Sequence, residues 1–164
     1  MRNTFALLDD VLIERMFQPA ADFIALWSGL SRSAAACCCV DGASVAWIVS
    51  RAPRLADVVS AWDAGPAFLR LTLALLGLVA LASLRVLFRR AGCRHANPLR
   101  PAMRPHRAVA LLMLLSCLAR LHAAGLEEAA ETVMLMCSAA ALYLGACAER
   151  PPLRRGGRFF VPAS

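Results

Sequence analysis

Residues 66–107 read PAFLRLTLALLGLVALASLRVLFRRAGCRHANPLRPAMRPHR, and this stretch decides the fold. From Leu71 to Leu84 it holds no charged residue, whereas 89–107 carries six arginines and no acid. As a helix, 66–88 would be about 34 Å long, enough to cross the hydrocarbon of a bilayer. Arg70 and Arg85 fall within two turns of its ends and can reach the headgroups. An apolar run closed by an acid-free arginine run is the signature of a membrane span and its cytoplasmic loop.

Two further runs repeat this pattern. Residues 108–126 and 129–148 form apolar spans joined by a tight acidic turn containing Gly125, Glu127, Glu128 and Glu131, while Arg150, Arg154, Arg155 and Arg158 crowd a basic tail at 149–164. Arginine in short loops sets orientation and acids contribute little, so 89–107 and the tail belong on the cytoplasmic side and the turn at Gly125 outside. Pro66 is then outside, and one more helix must bring the chain across. Residues 33–50 are assigned that role by elimination, although Asp41 at their centre costs about 2.5–3.5 kcal/mol on insertion scales. After them Leu55, Val58, Val59 and Trp62 form a short amphipathic piece that stops before Pro66. The prolines at 98, 101 and 105 predict a non-helical loop over 89–107. The expected fold is therefore an all-α integral membrane bundle of about four spans, three strong and one marginal, with both termini cytoplasmic.

The 60% apolar composition agrees, and the net charge of +7 arises at the loop and the tail. Arginines beside apolar spans point to anionic lipid headgroups as partners of the loop, and not to nucleic acid, which calls for a basic face with interleaved aromatics. Within 1–32, Phe5, Leu8, Leu12 and Met16 recur at helical spacing, and Pro19 restarts the pattern as Phe23, Leu26, Trp27 and Leu30. These read as helices lying in the membrane boundary, with Trp27 at headgroup depth. Asp9, Asp10 and Glu14 break any apolar core there, so a cleaved signal peptide is not expected. The overall localisation reading is a bacterial inner membrane.

Chemistry-bearing residues are few. Cys37, Cys38 and Cys39 stand in a row, and adjacent thiolates suit a soft ion such as Hg²⁺ or Cu⁺. A vicinal cysteine pair in the first span of a small four-span protein is similar to the mercuric-ion transport proteins, a likeness confined here to these few residues, with no second pair. Cysteine also packs as a small residue. Ala35, Cys39 and Ala43, then Cys38, Gly42 and Ala46, then Cys137, Ala141 and Gly145 form stripes at four-residue spacing that let helices approach closely. Asp41 is read as one half of an intramembrane ion pair with Arg70 or Arg120. Glu127, Glu128 and Glu131 offset the dipole of the last helix, met by Arg120 and His122. His95, His106 and His122 do not supply two ligands at membrane depth for a haem. No catalytic motif appears, and neither metal nor cofactor is expected.

The expected function is that of a small, non-enzymatic structural or accessory subunit, bound to a larger membrane protein or to its own copies through the small-residue stripes. A transporter of a thiophilic ion or proton, using Cys37, Cys38, Cys39 and Asp41, is the alternative. A holin-like pore former is a third.

Overall fold

The computed structural model describes residues 4–60, 64–91, 99–118 and 125–148, and these are helical almost throughout, with no strand among them. The elements are α1 (Thr4–Leu12), a π-helical turn (Ile13–Phe17), α2 (Gln18–Ser28), α3 (Arg32–Ser60), α4 (Ala64–Ala91), α5 (Leu99–Ala102), α6 (Arg104–Leu118) and α7 (Leu126–Ala146). Three helices are long and apolar enough to cross a membrane: Arg32–Pro53 within α3, Ala67–Ala91 within α4 and Glu127–Ala146 within α7. The all-α membrane bundle read from the sequence is the fold observed.

The helices stand in the order α4, α3, α7, α6, with the α3–α7 pair most closely packed. Neighbours run antiparallel. Arg32 at the start of α3 donates to the carbonyl of Cys147 beyond the end of α7, Gly42 faces Cys137 at mid-length, and Arg51 meets Glu131 near the start of α7. On the other flank the Cys37 thiol points at the Arg85 carbonyl of α4, and Trp47 Nε1 donates to the Ala74 carbonyl at 3.0 Å. The beginning of α6 lies beside the end of α7, where the Arg107 guanidinium sits 5.8 Å from the Tyr143 ring. One end of the bundle, the basic end, thus gathers the start of α3, the end of α4, the start of α6 and the end of α7.

Small residues make this packing possible. Ala35, Ala43, Ala46 and Ala141 are buried, so much of the stripes predicted as a surface for a partner is used inside the chain: Gly42 faces Cys137 of α7 and Gly145 faces Phe88 of α4, while Cys38 stays exposed. Two glycines are occupied to contact. A Cβ on Gly77 would enter the Trp47 indole, and one on Gly145 would enter the ring of Phe88, which is 1% exposed.

Several element boundaries differ from expectation for identifiable reasons. Residues 33–50 and the piece beginning at Leu55 are not separate elements: α3 runs from Arg32 to Ser60 through Pro53. Proline deletes one N–H, whereas ending a helix there would strand several carbonyls in apolar surroundings. The segment 89–107 is not a loop throughout. α4 continues to Ala91, and Pro101 and Pro105 sit in α5 and in the first turn of α6, where a missing N–H costs little; Pro98 lies outside the described residues. The helix of the span predicted at 108–126 begins early, at Arg104, and is described to Leu118; 119–124 lie outside the described residues, and the predicted end at 126 is corrected, since Gly125 is extended and Leu126 already belongs to α7. α7 begins at Leu126, with Glu127 and Glu128 in its first turn as the dipole argument requires.

The N-terminal arm is likewise one rod. Pro19 was expected to separate two helices, but the Gln18 N–H reaches the Ile13 carbonyl, five residues back, and this widened turn admits the proline ring without a break. Gly29 closes α2 in the left-handed conformation, with φ 68°. Ser31 then caps α3 by accepting the Ala34 N–H at 3.2 Å.

Candidate functional site

The densest polar constellation is a clasp between the N-terminal arm and the arginine segment. Arg100, Arg104 and Arg107 follow the i, i+4, i+7 spacing that places residues on one side of a helical segment. Asp9, Asp10 and Glu14 answer them from α1 and the π turn. Arg107 grips Asp9 with two hydrogen bonds, Nε to Oδ1 at 2.8 Å and Nη2 to Oδ2 at 2.6 Å, and its Nη2 also donates to the Arg100 carbonyl at 2.8 Å. Arg104 donates to Asp9 at 3.3 Å and to Asp10 at 3.3 Å. Arg100 completes the set with Asp10 at 3.2 Å and Glu14 at 2.9 Å.

Burial grades these pairs. The Arg107 and Asp9 side chains are 0% and 7% exposed, so their pairing is a desolvated contact, while the outer pairs remain partly open and contribute less. Burial alone would raise the Asp9 pKa. The hydrogen bonds and positive charge of Arg107, then of Arg104, outweigh it and hold the carboxyl below its usual value of 3.8. The hydrogen bond to Glu14 leads a set of favourable contacts that raises the Arg100 pKa despite partial desolvation. Arg107 Nη1 is buried and has no hydrogen-bond partner among the described residues.

Two neighbouring contacts fasten the same arm. Phe17 stacks on Tyr143 with ring centroids 4.5 Å apart. Gln18, 6% exposed, donates to the Ala148 carbonyl at 3.1 Å and accepts the Ala148 N–H at 2.9 Å, tying the arm to the chain just beyond the buried end of α7. Sequence reasoning had both halves of the clasp but not their meeting, since it gave Arg100, Arg104 and Arg107 to lipid headgroups. The available signal was a cluster of three acids within six residues of the N-terminal arm, with only Arg15 beside it, and a helically spaced set of arginines with no acid of its own.

The predicted thiol site does not converge. Consecutive residues of a helix point about 100° apart, and the three thiols fan accordingly: Cys37 is buried toward α4, Cys38 is exposed, and Cys39 is half-buried. Cys39 lies near Cys137 of α7. No group of three or more metal-ligating side chains occurs among the described residues.

Asp41 is in an ion pair, but not with the predicted arginines. Its partner is Arg85 of α4, at 3.0 Å. Arg70 is exposed and lies in no ion pair among the described residues, and Arg120 lies outside them. Antiparallel packing explains the choice. Asp41 lies about a third of the way along α3 from the basic end, and Arg85 lies at the corresponding depth on α4, whereas Arg70 is near the opposite end. Glu131, near the start of α7, is likewise met by Arg51 at 3.4 Å, with Arg120 and His122 outside the described residues. Arg51 also lies 4.3 Å from the Trp47 ring centroid.

No protein-family model matches the chain, and no curated protein or solved structure matches it.

Proposed function

We propose that the protein is a non-enzymatic structural or accessory subunit of a membrane complex, anchored to its partner along α4. The observation that carries this reading is how the polar groups are used. Asp9, Asp10 and Glu14 hold arginines, Asp41 holds Arg85, Glu131 holds Arg51, and the three adjacent thiols diverge. Such pairings build a rigid scaffold more than a reaction centre. Part of the small-residue stripes serves the same end inside the bundle, and the partner surface we propose is the least covered of the three spans. Only 11% of the α4 span is buried, against 39% and 44% for those of α3 and α7. Leu73, Leu76 and Val79 face outward there.

Purification in mild detergent with a photo-crosslinking residue at Leu76 or Val79 tests the proposal. A stoichiometric protein adduct from α4, absent when the crosslinker is placed at Leu112 of α6, supports it. Adducts to lipid alone, with the chain purified as a monomer, would overturn it. A second reading, passage of a thiophilic ion, draws on the proximity of Cys39 to Cys137. Replacing Cys37, Cys38 and Cys39 together by alanine would then change cellular sensitivity to mercury or silver at equal protein level; the accessory-subunit reading predicts no change.

A further inference from the structure

The N-terminal arm is apolar on both sides. Ile13, Phe17, Ala21 and Ile24 face the core, yet Phe5, Leu8, Met16, Phe23 and Leu26 are exposed on the outside, and Trp27 is 79% exposed. A helix apolar all round is stable where both flanks are apolar. The protein supplies one flank. The arm also crosses the ends of helices, as its contacts show: Asp9 lies at the first turn of α6, Phe17 and Gln18 at the end of α7, and α2 against α3. It is therefore level with the point where the apolar spans give way to Arg89, Arg90, Arg100 and Arg104.

We infer that the outer face of the arm is a lipid-binding surface, lying in the boundary between headgroups and acyl chains of the leaflet on the arginine side. The clasp is what makes this placement feasible. Three carboxylates on a helix would hold it in water, but Asp9, Asp10 and Glu14 are taken up by arginines. Asp22 accepts a hydrogen bond from Gln18 at 3.0 Å. Arg15 is left exposed on the arm, with the sign that suits anionic headgroups. Trp27 is the residue type that settles at this depth. A water-facing or protein-facing role would not require the acids to be neutralised from within.

Trp27 provides the readout. In vesicles of phosphatidylglycerol and phosphatidylcholine, the difference in tryptophan emission between the intact chain and Trp27→Phe isolates this side chain, whose exposure makes the substitution safe for folding. Lipids brominated near the top of the acyl chain are expected to quench that component at least two-fold more than aqueous iodide does. Replacing Arg100 and Arg104 by alanine should uncover the carboxylates and reverse the preference toward iodide. Dominant iodide quenching in the unaltered chain would overturn the inference. So would protection from both quenchers, the sign of a second copy or another protein covering the arm. An unchanged profile in the arginine variant would remove the role given to the clasp.

Discussion

Replacing Asp9 by asparagine keeps the side-chain shape and removes one charge from a pair whose arginine is 0% exposed. Arg107 would then keep the Arg100 carbonyl and the Tyr143 ring but lose its counter-charge. Breaking one half of a buried pair costs about 3–5 kcal/mol. The lower value, about 3 kcal/mol, applies because Arg104 retains Asp10 and Gln18 still holds Ala148. At about 1.4 kcal/mol per factor of ten, the arm should detach on the order of 150-fold more often. Amide hydrogen exchange in nanodiscs should show this as faster exchange across α1 and α2, with the middle of α3 and α7 unchanged. The double substitution Asp9→Leu with Arg107→Met removes both charges and should recover most of the protection, since an apolar pair of similar volume replaces a buried ion pair at little cost. A change below about three-fold, under roughly 0.7 kcal/mol, would refute the reasoning, as would acceleration spread evenly over the bundle.

Acid should open the same contact. The folded-state pKa of Asp9 is lowered, so its stabilisation is present above the unfolded value near 3.8 and is lost as the pH falls through the folded value. Arm protection measured by limited proteolysis should therefore hold from neutral pH to about 4 and fail only in stronger acid. Gly145→Ala and Gly77→Ala should each destabilise the α4 contacts by about 1–3 kcal/mol in a denaturant titration, because Phe88 and Trp47 must shift. Gly42→Ala, whose added methyl would meet Cys137 Sγ at an ordinary 3.5 Å, should be tolerated. Asp41→Asn should lower the yield of inserted protein by leaving Arg85 without its counter-charge, and Asp41→Leu with Arg85→Met should restore it; a raised yield in the single variant would contradict the pair.

Periodicity and charge asymmetry made the architecture legible, because a span announces itself through length and apolar content, and its flanks through arginine. What stayed hidden depended on register. Asp41 could be seen to need a cation, but Arg85 over Arg70 follows only once α3 and α4 lie antiparallel with Cys37 at Arg85 and Trp47 at Ala74. The clasp was hidden for the same reason, with about ninety residues separating its two halves in sequence. Pro19, Pro101 and Pro105 misled in the opposite direction, and Pro53 shows the same tolerance inside α3. Proline is a strong local signal, yet a π turn, a long apolar helix and a first-turn position each absorb it. The small-residue stripes were real but ambiguous, since the same spacing serves a neighbour within the chain or outside it.

The central claim is an antiparallel membrane bundle whose arm, arginine segment and α7 terminus share one side, and a topology map tests it most directly. Reporters active only in the cytoplasm, fused after Arg94 and after Arg158, should work, while fusions at Ala56 and Gly125 should be silent. Cytoplasmic activity at Gly125, or at Ala56 while Arg94 also reports inside, would contradict the account.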